Sequence, residues 1–128
     1  MSAPTEAERW AYFQRQWDTD PPEIEHTRAC GWFVLHAEPV NEYGDREIHA
    51  LTDDGARYLG CVYFGAHPQR PGCQEGAPRV HPDYRRRGIC RALYDWAAEL
   101  GGAPMAPAET HSADAAAFWA RYGHEAAQ

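Results

Sequence analysis

At 128 residues, 44% of them hydrophobic and with five Trp and seven Tyr, the chain reads as one domain over 1–128, long enough for a single packed core and too short for a second. A formal net charge of −7 argues against extended nucleic-acid binding, which phosphate contacts dominate. No apolar run reaches the length of a membrane span or resembles a signal-peptide core, so a cytoplasmic protein is expected. All twelve basic residues are Arg, and a chain without lysine has no Schiff-base mechanism open to it.

Thr5-x-x-Glu8 has the form of a capping box, and Ala7, Trp10, Phe13, Gln14 and Trp17 then trace one helical face, so a first helix is predicted to end near Asp18, before Pro21-Pro22. Ala29 to Glu38 is apolar without helical spacing and is read as one strand. Arg46 to Thr52 alternates Ile48 and Ala50 against Glu47, His49 and Leu51, and Asp53-Asp54-Gly55 turns the chain into a long strand over Ala56 to Phe64. His67 to Pro78 reads as a loop leading into a short strand around Ala77 to His81. Ile89, Leu93, Trp96, Ala97 and Leu100 follow helical spacing until Gly101-Gly102 stops them. Ala103 to Glu109 is a poor, proline-broken extended segment, and Ser112 to Tyr122 is an Ala-rich helix closed by Gly123. Strands followed by alternating strand and helix imply a sheet with helices packed on it, an α/β or α+β fold.

Cys30, Cys61, Cys73 and Cys90 show no Cys-x-x-Cys spacing and are read as free thiols of a reducing compartment. The histidines lack metal-ligand spacing, so no metal site is expected. Charge is divided unevenly along the chain. Twelve acids and four Arg lie up to Asp54, while Arg79, Arg85, Arg86, Arg87 and Arg91 fall within thirteen residues. Such a cluster in an acidic protein points to a local anion site.

That cluster surrounds the order strand, Pro82-Asp83-Tyr84, Arg85-Arg86-Arg87-Gly88-Ile89-Cys90, helix. A strand entering a helix through a tight turn leaves the helix's first N–H groups unpaired, and with the helix dipole they attract phosphate. Gly88 gives the backbone its freedom, and the arginines add forked donors. There is no Gly-x-x-x-x-Gly-Lys pattern and no second glycine in the turn, which sets aside the mononucleotide P-loop and the dinucleotide fingerprint.

Val80-His81-Pro82-Asp83-Tyr84-Arg85-Arg86-Arg87-Gly88-Ile89-Cys90 resembles the coenzyme A motif of the GNAT superfamily of N-acetyltransferases, V-x-P-x-x-Q/R-x-x-G-x-G/A. Arg85 falls at the Gln/Arg position, Gly88 at the central glycine, and Cys90 where the family has Gly or Ala. Cys90 is read as a small packing residue, the alternative being a thiol made reactive by the helix N-terminus. Downstream, Ser112, Ala115, Trp119, Gly123 and His124 fall in the register of the family's last-helix pattern N-x-x-A-x-x-x-Y-x-x-x-G-F. Trp119 thus replaces the family's proton-donating Tyr.

The resemblance implies a GNAT-like mixed, mainly antiparallel sheet with flanking helices, trimmed at both ends or completed across a homodimer. It implies acetyl-coenzyme A, or another acyl-coenzyme A, as co-substrate, and a small-molecule or peptide amine as acceptor. The cofactor-binding residues carried over are Val80, His81, Arg85, Arg86, Arg87, Gly88, Ile89, Cys90, Ser112 and Trp119, with a backbone N–H near Val80 or His81 polarising the thioester. Candidate acid and base residues are Glu75, Glu109 and Tyr122, with His81 and His111 as rivals. A non-catalytic acyl-coenzyme A-binding module and an enzyme modifying a nucleobase are the competing readings.

Overall fold

The structure is a computed structural model that describes residues 3–107, 116 and 118–121. Its elements in chain order are α1 (Glu6–Thr19), β1 (His26–Ala29), β2 (Phe33–Ala37), β3 (Arg46–Thr52), β4 (Tyr58–Ala66), β5 (Gln74–Val80), a 3-10 turn (Pro82–Tyr84) and α2 (Ile89–Gly101). Ala116 and Phe118 to Arg121 are helical as well. The strands form one antiparallel sheet in the order β1-β2-β3-β4-β5. None of the helices among the described residues is long and apolar enough to cross a membrane.

The Thr5–Glu8 capping box forms as expected, each residue's side chain bonding the other's backbone N–H. The segment read as one strand over Ala29 to Glu38 is instead a hairpin. Cys30 N–H donates to the Phe33 carbonyl at 2.9 Å, and Gly31 takes a φ of 87° to make the turn between β1 and β2. Apolar character hid the break. The strand expected around Ala77 to His81 starts earlier, at Gln74, so Glu75 lies on a strand and not in a loop.

Alternation along the strands gives the sheet two buried faces. Leu35, Ile48, Ala50, Val62 and Phe64 pack with Ile89, Leu93, Trp96 and Ala97 of α2 in the main core. Leu51 and Tyr58 pack with Trp10 of α1, with Phe13, Trp17 and Cys61 at the margin of that second cluster. Gln14 ties α1 to β4, its Oε1 accepting from Tyr58 N–H at 2.8 Å.

Candidate functional site

The loop from β5 to α2 is built as its chemistry requires. His81 N–H donates to the Leu59 carbonyl, and its Nδ1 accepts from Asp83 N–H at 3.1 Å, which fixes the turn. Arg85 folds back on the end of β5, donating from Nε to the Val80 carbonyl at 3.1 Å and from Nη2 to Glu6 of α1 at 2.6 Å. Arg86 follows with a φ of 63° and Gly88 with a φ of 88°. A side chain at Gly88 would meet no atom within 4 Å. The glycine therefore serves backbone geometry and leaves open space beside the helix end.

In α2 the N–H of Ala92 bonds the Gly88 carbonyl at 3.0 Å, and Gly88 supplies no side-chain cap. The N–H groups of Ile89 and Cys90 consequently face the loop, where the helix dipole favours an anion. Arg85, Arg86 and Arg87 are exposed around them, and the Arg87 guanidinium lies over the Tyr84 ring. Ile89 itself is buried in the main core, so only its backbone can serve a ligand. Burial pushes the Cys90 thiol up to about 12. Burial thus opposes the effect of the helix N-terminus on this thiol and favours the packing role.

The edge of β5 distinguishes the two backbone donors considered from sequence. In this antiparallel ladder, His81 pairs inward with Leu59, whereas Gln74 faces outward, its N–H donating to the Pro104 carbonyl and its carbonyl accepting from Ala106 N–H. Because the direction alternates, Gly76, Pro78 and Val80 also face outward, as Gly76 and Val80 confirm through the acceptor bonds from Tyr94 and Arg85. Pro78 has no N–H. The outward donors are thus Gly76 and Val80, while the N–H of His81 is committed to the sheet. Met105 bridges β5 in parallel at Gln74, so the expected extended segment after α2 meets the sheet at that point. Sequence reasoning did not single out Gly76, although strand parity around a proline carries the signal.

Glu75 points to the face opposite α2, with its carboxylate 3.8 Å from His67 Nε2. Trp119 packs beside Tyr94 with ring centroids 5.0 Å apart and is half-buried against the main core. Glu109, Ser112, Tyr122 and His111 lie outside the described residues.

On the α1 face stands a polar group that the sequence reading left as plain strand alternation. His49 Nδ1 lies 2.6 Å from Tyr58 Oη, and its Nε2 lies 2.6 Å from Glu38 Oε2. A carboxylate only accepts, so Nε2 carries the proton toward Glu38 and Tyr58 O–H donates to Nδ1 in the neutral imidazole. The Trp17 ring lies tilted against both His49 and His36, with centroids 5.2 and 5.7 Å away. Glu47 has a donor atom within 4.8 Å of those of Glu38 and His49. Burial raises its carboxyl above the usual range, helped by Glu38 and opposed by His49, Cys61 and Arg79. Burial and the neighbouring His49 push the His36 imidazole down.

The structure of a GCN5-related N-acetyltransferase from Kribbella flavida is 23% identical over 72% of this chain and 58% of that one, with a TM-score of 0.36. This chain therefore matches a little over half the length of that protein. A search of curated proteins finds no match. The sequence model of the acetyltransferase (GNAT) family matches residues 4–124, nearly the whole chain and well beyond the motif Val80 to Cys90. The chain belongs to the GNAT acetyltransferase family.

Proposed function

We propose that the protein is an acyl-coenzyme A-dependent N-acetyltransferase that passes an acetyl group to an amine by direct attack. The observation that carries this reading is the open N-terminus of α2 behind Gly88, ringed by Arg85, Arg86 and Arg87. It offers backbone donors, a helix dipole and guanidinium groups to a pyrophosphate at one spot. Met105 bridges β5 only at its start, and Gly76 and Val80 direct N–H groups to the same side further along the strand. These donors suit the amide and carbonyl groups of a pantetheine thioester, and one of them would polarise the carbonyl that the amine attacks.

Direct transfer asks three things of the protein: a held thioester, a donor for the developing oxyanion, and an acceptor whose nitrogen has lost its extra proton. The first two are the work of the loop and the β5 edge. Cys90 and Trp119 have packing roles in this reading, and Glu75, on a strand beside the site, remains a proton acceptor to be compared with others.

Calorimetric titration with acetyl-coenzyme A and free coenzyme A tests the assignment. The wild type should bind both in the micromolar range, and the Arg85→Ala, Gly88→Glu double variant should lose at least 100-fold while keeping its circular dichroism spectrum. Unchanged affinity in the folded double variant would remove the loop as the coenzyme site. Binding without turnover of any amine would favour the non-catalytic module.

A further inference from the structure

A cleft of about 390 Å³ opens between α1 and the sheet, on the face away from α2. Tyr12, Phe13 and Trp17 of α1 and Tyr63 of β4 give it aromatic walls, and Glu47 and His49 of β3 lie at its floor. Its far side is formed by Ala77 and Arg79, residues of β5, the strand whose outer edge carries the Gly76 and Val80 donors. The ladder fixes the order of these groups. Glu47, Tyr63 and Ala77 are successive pairing partners across β3, β4 and β5, as are His49, Cys61 and Arg79. Glu47 therefore stands two strands from β5, on the order of 10 Å, with Tyr63 on the strand between them, so a proton passes from an amine at the β5 edge to Glu47 by way of water.

Two carboxylates lie beside His49, Glu47 in the cleft and Glu38 next to it, and they differ in their partners. Glu38 is held by His49 at 2.6 Å. Glu47 forms no ion pair among the described residues, although it faces Glu38, His49, Cys61 and Arg79, with Tyr12 and Asp20 lining the cleft from the side of α1. A half-buried carboxylate in no ion pair among the described residues, with the Cys61 thiol as a hydrogen-bond donor and Arg79 across the cleft, beneath a group of aromatic rings, has acceptor capacity left for an ammonium ion attached to an apolar body.

We infer that this cleft seats the acceptor as a protonated primary amine with its apolar body against Trp17 and Tyr63, and that Glu47 is the catalytic base. The inference rests on the acyl-transfer reading above. The ammonium nitrogen gives one proton, through water, to the Glu47 carboxylate, and its freed electron pair forms the N–C bond at the thioester carbonyl carbon. The C–S bond breaks, and the thiolate leaves with the second proton shed by the new amide nitrogen. Glu47 then returns its proton to solvent, so the products are the N-acyl amine, coenzyme A thiol and one proton. His49 is a positioning residue: held between Tyr58 and Glu38, it keeps the second carboxylate occupied and leaves Glu47 to the substrate.

Burial brings Glu47 nearer the working pH than an ordinary carboxylate, which suits a general base. The test uses the full chain with acetyl-coenzyme A and three probes: 2-phenylethylamine, hexylamine and glycine. The wild type should acetylate the first two and turn over glycine far more slowly, since glycine has no apolar body for Trp17 and Tyr63 to hold. Glu47→Gln should bind acetyl-coenzyme A as the wild type does and lose about 100-fold in kcat/KM at pH 7.5. Its log kcat/KM should then climb with unit slope as pH approaches the amine's own pKa, so that the deficit shrinks. Glu47→Asp should recover part of the loss. Trp17→Leu should raise KM for the two apolar amines with little change in kcat. If acetyl-coenzyme A binds and Glu47→Gln keeps the wild-type rate and pH profile, the inference fails while the coenzyme assignment stands. If acetyl-coenzyme A binds and neither apolar amine is acetylated, the cleft is not the acceptor's seat. If acetyl-coenzyme A does not bind, the acyl-transfer reading itself has failed.

Discussion

Arg85 has two partners within the chain: the Val80 carbonyl, and Glu6 at 2.6 Å. The first bond aims the guanidinium along the loop, and the second competes with any phosphate. Both members of the Arg85–Glu6 pair are about half exposed, and pairs of that kind contribute about 0 to 1 kcal/mol. Glu6→Gln should consequently tighten acetyl-coenzyme A up to about fivefold, the whole of that range being released to the ligand. Calorimetry at low and high salt would read this, and a weaker Kd in the variant would mean that Glu6 holds Arg85 in its binding pose. At this scale the motif was legible because its signal is local: Arg85 and Gly88 sit a fixed few residues apart, and the spacing encodes the turn. Glu47 and His49 were not. Their alternation with Ile48 and Ala50 looks the same whether the polar face meets water or a helix, and only the folding of α1 over the sheet, through Trp17 and Gln14, distinguishes the two.

Among the elements, β5 was the hardest to delimit, and the structure explains why. Gly76 and Pro78 break the strand pattern, yet both fall at outward positions of the ladder, where a missing N–H or side chain costs the β4 pairing nothing. The β1–β2 turn failed for the opposite reason, a strongly apolar run masking Gly31. Helix α2 was read within one residue, since its apolar stripe and its Gly101-Gly102 stop agree. Gln74, at the start of β5, joins these elements. Its buried amide donates to the carbonyls of Ala97 at 3.2 Å and Ala103 at 2.7 Å, clamping the end of α2 to the sheet where Met105 pairs. Gln74→Leu keeps the volume and removes both donors, leaving carbonyls without partners, a loss of about 2 kcal/mol. The urea midpoint should fall accordingly. Because the clamp also fixes where the chain after α2 leaves β5, acetyl-coenzyme A should bind more weakly too. An unchanged midpoint would show that water replaces the amide without cost.

For the molecule as a whole, two of the four thiols sit on opposite faces of the sheet and are both buried enough to resist ionisation. Cys61, under α1, is raised to about 11, and Cys90, packed at the start of α2, to about 12, with burial the first cause in each; the unfolded reference is 9.0. The unfolded chain therefore releases these protons first. Stability from the two groups is complete below the unfolded value and drains away as pH rises through 9 toward 11 to 12. By pH 10.5 each thiol has given up about 2 kcal/mol, and Tyr58, raised by its own burial, adds to the trend. Urea unfolding should show a midpoint steady up to about pH 8.5 and falling steeply above it. Cys90→Ala restores the residue type of the family motif and should flatten that slope by roughly half, even if its midpoint at pH 7 is slightly lower for the lost sulfur. The slope, and not the midpoint, is the measure, because a packing loss shifts all pH values equally while a lost ionisation acts only above 9. An identical alkaline slope in wild type and Cys90→Ala would mean that the Cys90 thiol meets water in the folded state, and the helix N-terminus would then be free to act on it after all.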